Sequence, residues 1–424
     1  MHAIEKILAR ASGKDSVRAG EIVNCRVDLA EVNDLYPQTI HSFYEMGGRR
    51  VHSPDRITFI LDHYAPASSI QQAENQKFMR EFCREQGIEL LFDVNSGVCH
   101  QVMVDHGLVV PGMVLIATDS HTTTHGAFGA FGTGVGATDL AVILATGHLW
   151  LRVPEILRIH LTGRLSVGVY AKDVILHIIG RLGADYAIYK AVEFTGPVVK
   201  ELSVSERMAL CNMTTEMGAK CAYIQPDQVT LGFLKGKVKR KLEPVETDPD
   251  FQYAEELFFD VSAIPPQLAV PSSVDNVRPL SELVGTPVHQ AYLGSCTGGR
   301  AEDLAVAARI LKGRRVHKDT RLVVVPASRD VFLEALQRGD VAALVEAGAT
   351  FVTPGCAACL GTHEGILAAG EVCIASTNRN FPGRMGHTQS AVYLGSPAAV
   401  AAAALNGRIT DPCEILAELE RKES

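Results

Sequence analysis

Residues Thr353 to His363 read T-P-G-C-A-A-C-L-G-T-H, and this stretch constrains the fold more than any other. The apolar run Ala349 to Val352 precedes it and reads as the end of a buried strand, so Cys356 and Cys359 fall in a glycine-punctuated loop past the strand's carboxyl edge. The same pattern occurs earlier. Gln290 to Leu293 reads as a strand that runs into G-S-C-T-G-G-R, with Cys296 in the turn. Thiolate is a soft ligand suited to iron-sulfur clusters and zinc, and C-x-x-C on a tight loop can turn both sulfurs to one centre. A third Cys from a parallel loop completes a tripod, and three thiols without a fourth leave a metal open, as in catalytic sites. Two other uses stay open on the local pattern. A zinc site could take His363 as fourth ligand, and a redox dithiol would need Cys356 at a helix start.

The rest of the composition bounds the class. A length of 424 residues is enough for about two to four domains with large cores. The net charge of -8 with no basic block argues against nucleic-acid binding by electrostatics. No apolar run approaches a membrane span, and the longest, Ala398 to Leu405, reads as a short Ala-rich helix. At the N-terminus Ile4, Ile7 and Leu8 have helical spacing, but Glu5 and Lys6 lie among them, so there is no signal-peptide core. Ten scattered Cys fit a reducing cytoplasm.

Strands and helices alternate along the chain, the pattern of parallel α/β layers. Strands are expected at Arg56 to Leu61, Ile88 to Asp93 and Met113 to Thr118, with a helix at Ile70 to Gln86. The first strand ends in Asp62-His63, the stretch after Asp93 carries His100-Gln101, and the strand at Met113 ends in Asp119-Ser120-His121. Open α/β sheets gather functional groups at such carboxyl edges, and Asp can fix a His tautomer and raise its basicity. The glycines of G-T-G-V-G-A at Gly132 to Ala137 imitate a dinucleotide fingerprint but follow a long polar turn, so close packing is their expected use. A helix is expected at Leu140 to Leu151, then strand Ile156 to Leu161, helix Ala171 to Leu182, strand Ala187 to Phe194, helix Glu206 to Gly218 and strand Cys221 to Gln225. Glu193 interrupts the apolar run A-V-E-F, and a buried carboxylate there needs a partner or a site. Lys235 to Asp250 reads as a charged surface excursion and Ile264 to Glu282 as a Pro-rich linker.

The expected division is therefore an N-terminal region, 1–282, of two α/β lobes meeting near 125–130, and a C-terminal α/β domain, 283–424. In the latter, helices Ala301 to Leu311 and Arg329 to Ala347 alternate with strands Leu322 to Pro326, Thr350 to Thr353 and Val372 to Ala375. After the last strand comes S-T-N-R-N-F-P-G-R-M-G, where Arg379 and Arg384 suit bidentate capture of carboxylates.

Taken together, G-S-C-T-G-G-R, T-P-G-C-A-A-C-L-G, N-R-N-F-P-G-R, L-D-H, C-H-Q and T-D-S-H-T resemble the motifs of the aconitase family, over essentially the whole chain. The length and the finish after the Arg loop are similar to the large subunits of its two-subunit hydro-lyases. The resemblance implies three-layer α/β lobes of the aconitase type around a central cluster cleft, without the swivelling fourth domain. It implies one [4Fe-4S] cluster on Cys296, Cys356 and Cys359, with one iron not ligated by protein and free for substrate. Carried over, it makes Asp62 and His63 the pair that handles the departing hydroxyl, with His63 the proton donor. It pairs His100 with Asp119 and His121 with Glu193, with Ser120 beside them. Asn378, Arg379 and Arg384 would contact the cluster or a substrate carboxylate. Two departures stand out. Gly298 follows Cys-Thr where the family usually has Asn, and Ala357-Ala358 replaces the commoner Gly-Pro. Asn33-Asp34 stands where relatives often carry His-Asp or Gln-Asp, and Asn33 is assigned no role.

The implied reaction is reversible dehydration and rehydration of a hydroxy di- or tricarboxylic acid in the cytoplasm: isopropylmalate in leucine biosynthesis first, homoaconitate or another malate-type acid as the alternative. A cluster-sensing RNA-binding regulator is the reading from another class, and the acidic balance opposes it. In the family the base is a Ser in a Ser-Arg turn on a separate domain. The only such turn here, Ser328-Arg329, precedes a helix and reads as its cap. A small subunit supplying the Ser base and a substrate Arg is therefore expected, the chain leaving no room for another domain.

Overall fold

In the computed structural model, which describes residues 1–238 and 242–423, the chain divides into two units. The first comprises 1–94, 102–161 and 187–259; the second comprises 95–101, 162–186 and 260–424. The boundary thus lies ahead of the one expected at 282, and two short segments of the N-terminal half belong to the second unit. Of the expected surface excursion at Lys235 to Asp250, residues 239–241 lie outside the described residues.

The first unit carries an antiparallel pair, β1 (Ile22–Arg26) with β7 (His148–Arg152), and two sheets. Its larger sheet is parallel and contains β2 (Leu29–Asn33), β3 (Ile57–Ile60), β4 (Leu90–Phe92), β5 (Val114–Ala117) and β6 (Phe131–Gly134) in the order β4-β3-β2-β5-β6. The chain steps outward from β2 through β3 to β4, then returns to pair β5 on the other flank of β2. That reversal makes the carboxyl ends of β2 and β5 a topological switch point, where open α/β sheets bind ligands. Helix Ile70–Gln86 buries Met79, Phe82 and Cys83, at i, i+3 and i+4. Phe82 lies 5.8 Å from the rings of both Phe43 and Phe59, and burying such a ring contributes about 1.5–3 kcal/mol.

The smaller sheet joins β8 (Ile156–Thr162), β9 (Ala191–Thr195), β10 (Cys221–Tyr223) and β11 (Glu255–Asp260) in the order β10-β9-β8-β11. The helix expected over Leu140 to Leu151 instead spans Ala137–Thr146 and ends on Gly147 at φ 73°, after which H-L-W-L-R turns to strand. Two side chains there, Leu149 and Leu151, are buried while Trp150 is exposed, the period-2 alternation that a run of apolar letters conceals. Gly132 and Gly134 are packing glycines. A Cβ on either would lie 2.5 Å from the carbonyl oxygen of Thr122 or Asp119 in the neighbouring turn.

The second unit is built on one sheet of β12 (Gln267–Ala269), β13 (Val277–Pro279), β14 (Gln290–Gly294), β15 (Arg321–Val325), β16 (Ala349–Phe351), β17 (Val372–Ala375) and β18 (Ala391–Leu394), in the order β13-β12-β18-β17-β14-β15-β16. The stretch expected to be a linker supplies β12 and β13, three-residue strands too short to show alternation. The single helix expected over Arg329 to Ala347 is two, Arg329–Gln337 and Asp340–Ala347, broken at Gly339 with φ 82°. Ser328 caps the first, its hydroxyl accepting from the Val331 amide at 3.2 Å, as expected. Helix Ala171–Leu182 packs on β12 and β13.

Candidate active site

In the first unit the loops after β2, β3 and β5 bring a set of ionisable groups to one sheet edge. Asp34, just past β2, organises it: its Oδ1 accepts from the amides of Asp62 (3.2 Å) and His63 (2.8 Å), and its Oδ2 from the amide of Tyr64 (3.0 Å) and from Gln76 Nε2 (3.1 Å). Four donors fill its lone pairs and fix the loop that carries Asp62 and His63. Asp34, Asp62 and His63 could be grouped around an ion, but this saturation gives Asp34 a structural use instead.

The buried ring of His63 lies between two carboxylates. Its Nδ1 is 2.6 Å from Asp62 Oδ1 and its Nε2 is 3.6 Å from Asp119 Oδ2. Burial alone would discharge the imidazole, but Asp62, and then Asp119, outweigh burial and hold it well above the usual imidazole range. Beneath them Glu31, in the middle of β2, is fully buried with neither carboxyl oxygen hydrogen-bonded. Burial, and after it the charges of Asp62 and Asp119, push its carboxyl well above the ordinary value, which favours the neutral acid.

Asp119 caps the 3-10 segment Ser120–Phe128 by accepting the His121 amide at 2.7 Å. The His121 ring has Nδ1 3.4 Å from Asp119 Oδ1 and 3.5 Å from Ser120 Oγ. Its Nε2 lies 2.8 Å from Oε1 of Glu216, in the turn Thr214–Met217. Hydroxyl contacts hold this turn in place: Thr215 Oγ1 donates to the Ser120 carbonyl (2.9 Å), and Asn212 Nδ2 to Thr124 Oγ1 (2.8 Å). The expected pairing of His121 with Glu193 is therefore corrected. Glu193 on β9 accepts from the Tyr253 hydroxyl at 2.7 Å and lies 3.4 Å from His2 Nε2. It is buried and paired, as a carboxylate in an apolar strand must be, but elsewhere.

In the second unit β14 lies between β17 and β15, all parallel, and β16 follows β15, so the loops after β14, β16 and β17 share one edge. These loops carry Cys296, the Cys356–Cys359 pair and the Asn378–Arg384 segment, and all three thiols are buried. Ser295 Oγ lies 3.7 Å from Cys296 Sγ and 3.5 Å from Cys359 Sγ. Asn378 reaches Cys296 Sγ with Nδ2 at 3.4 Å and has Oδ1 3.9 Å from Cys359 Sγ. Arg384 Nη2 is 3.9 Å from Cys359 Sγ. The Cys356 thiol directed at its partner sulfur, then Arg384, hold Cys359 well below the usual thiol range, and Cys356 is pushed up in return. Ser295 and Ala357 take φ values of 74° and 46°, left-handed geometry that turns these loops sharply.

Gly298 has a steric reason. A Cβ there would lie 2.4 Å from the Cβ of Ser376, whose Oγ accepts from the Gly294 amide at 2.9 Å and donates to the Gly298 carbonyl at 3.2 Å. His100 is buried at the start of helix Cys99–Asp105. Its segment, 95–101, is anchored in the second unit by Val98 N–H to the Ala327 carbonyl (2.8 Å) and by Arg300 Nε to Gln101 Oε1 (3.2 Å). Arg379 is half-buried in the same loop as Asn378 and Arg384.

The α/β architecture and these two sets of residues define a hydro-lyase class, and the chain belongs to the aconitase family (aconitate hydratase), whose model matches residues 5–287 and 281–407. It is 54% identical over 409 residues to the 3-isopropylmalate dehydratase large subunit 1 of Methanopyrus kandleri, covering 96% of this chain and 98% of the relative. It is 50% identical over 417 residues, 97% of each chain, to a protein of Methanothermobacter thermautotrophicus named "Probable methanogen homoaconitase large subunit". Three buried thiols on neighbouring loops, with Asn and Arg donors on the sulfurs, fit the iron-sulfur cluster of that family.

Proposed function

We propose that the chain is the cluster-bearing large subunit of a hydro-lyase that interconverts 2- and 3-isopropylmalate by dehydration and rehydration, a cytoplasmic step of leucine biosynthesis. The observation that carries the reading is the convergence of Cys296 and Cys359 on Ser295 and Asn378, with Cys356 beside them; the 54% identical relative supports the substrate. Cys296, Cys356 and Cys359 would hold a [4Fe-4S] cluster, which, with one iron not ligated by protein, would supply Lewis-acid chemistry for the dehydration. Every other part of the chemistry falls to side chains. Asp62 accepts a hydrogen bond from Nδ1 of His63 and so leaves Nε2 as the atom that delivers a proton to the departing hydroxyl. Asp119 and Glu216 fix the His121 ring from opposite nitrogens, which orients it for water. Ser120 and His100 are assigned to the same work, and Arg379 and Arg384 to the carboxylate common to all malate-type substrates. Glu193 is left with a structural pairing.

The proton taken from carbon needs a base, and in this reading a small subunit supplies it as a Ser, together with a substrate Arg; the relatives are themselves named large subunits. The test is to purify the chain anaerobically, measure iron and labile sulfide, and assay it alone and with a co-expressed small subunit. About four irons per chain, and activity on 3-isopropylmalate only in the complex, are expected. Zinc without sulfide would end the cluster reading, and full activity from the isolated chain would end the two-subunit reading. The methanogen relative favours a second reading, homoaconitase, which activity of the complex on homocitrate but not isopropylmalate would establish.

A further inference from the structure

Helix Ala171–Leu182 places a lysine at its second position, and Lys172 is 2% exposed. Its neighbour Asp173 is locked in place. One carboxylate oxygen accepts from the Tyr170 amide at 2.9 Å and the other from the Gln267 amide at 2.8 Å, and burial pushes its pKa to about 7. Held this way, the helix start directs the Lys172 ammonium to the thiol-bearing edge of the seven-stranded sheet. Nζ donates to the carbonyl of Thr377 at 2.6 Å, to that of Ser376 at 3.3 Å and to Thr297 Oγ1 at 3.4 Å. Thr297 adjoins Cys296, and Thr377 adjoins Asn378, whose amide touches both Cys296 and Cys359. One ammonium therefore ties together the loops after β14 and β17. Thr297 Oγ1 adds a direct bond between them, donating to the Ser376 carbonyl at 2.7 Å.

Burying an ammonium costs several kcal/mol, and a neutral side chain could fill this space more cheaply. Two further buried cations face the same loops: Arg300 donates to the Cys296 carbonyl, and Arg384 lies against Cys359. Thiolates around a cluster leave a net negative charge, which grows by one on reduction, and fixed cations nearby favour the more negative state. We propose that Lys172 is a positioning residue of the cluster site, which sets the two loops at the right spacing and raises the cluster's reduction potential through its charge. This rests on the cluster reading above.

The experiment compares the wild-type chain with Lys172→Met and Lys172→Arg after anaerobic reconstitution, by iron and sulfide content and by redox titration followed through the spectrum of the reduced cluster. The Met variant is expected to titrate at a more negative potential than wild type, and the Arg variant, which keeps the charge, close to wild type. A cluster retained by Arg but lost by Met supports the proposal equally. An unshifted potential in a fully loaded Met variant overturns it, as does equal loss of cluster from both variants, because shape alone would then be what matters. A wild-type chain that takes up no iron and sulfide overturns the cluster reading and the proposal with it.

Discussion

His121 Nε2 stands 2.8 Å from Glu216 Oε1, and its Nδ1 is 3.4 Å from Asp119, so the ring is gripped at both nitrogens by carboxylates from different parts of the chain. Glu216→Gln removes the carboxylate charge at Nε2 while keeping the shape. It is expected to lower kcat by about 10²-fold or more with the iron content unchanged. Glu193→Gln is the control: its amide oxygen still accepts from Tyr253 but the charge is gone, so stability should fall by about 1 kcal/mol, with kcat falling far less. Equal kcat losses in the two variants would return Glu193 to the catalytic set.

His63 predicts a pH effect whose sign follows from its surroundings. The folded ring is held above the usual imidazole value, which favours its protonated form, and the proton donor is lost as pH rises through that raised value. In Asp62→Asn the main charge raising it is gone. The alkaline limb of the kcat profile should then move to lower pH. A limb that does not move would mean that His63 is not the donor.

Glu31 predicts a gain in stability. A carboxyl whose folded pKa is raised takes up a proton on folding, so its cost is absent below its unfolded value, about 4.3, and grows with pH up to the folded value. Glu31→Met removes a buried group whose oxygens make no hydrogen bond. Its thermal midpoint should exceed that of wild type by an amount that grows from pH 5 to 8, at most about 1.4 kcal/mol per pH unit. A constant difference across that range would show that Glu31 does not titrate on folding.

Cysteine variants separate the thiol site from the core. Cys296→Ser should lose the cluster. Cys83→Ser should keep it, at a stability cost of about 1–3 kcal/mol, since Cys83 is buried on helix Ile70–Gln86. Iron and sulfide analysis beside thermal melts reads both effects.

Gly298→Ala tests the loop packing. The added methyl would have to displace Ser376, whose hydroxyl holds the loops after β14 and β17 together, so both cluster content and stability should fall. Gly298→Ala with Ser376→Gly removes the clash and should recover part of the cluster content.

Legibility followed local signals. β3 and β5 are apolar runs that end in Asp-His and Asp-Ser-His, so strand, edge and functional groups were readable together. β2, the centre of that sheet, was not, because Glu31 breaks L-A-E-V-N at its midpoint, and the burial of an acid there depends on neighbours far along the chain. Glu216 lies in T-T-E-M-G, a short turn past a helix, with no strand end to mark it. Glu193 carried the opposite error: an acid in an apolar strand announces that it needs a partner, but the partner, Tyr253, is 60 residues away. The thiol loops were legible because glycines and paired Cys leave few alternatives. Lys172 was not, since nothing in Y-A-K-D-V-I-L tells a buried lysine from a solvated one.

The second unit is assembled from pieces that leave the ribosome at very different times. Helix Ala171–Leu182 rests on β12 and β13, and Asp173 takes its bond from Gln267, so the helix is made well before the strands it needs. At about 5–20 residues per second this is a wait of roughly ten seconds, during which its apolar face and Lys172 have no sheet to cover them. Chains stalled short of residue 280 or so should therefore leave this helix open to protease, which limited digestion of the stalled chains would read. For the same reason, dividing the gene at the 259/260 junction would strand His100 and Lys172 on the wrong fragment.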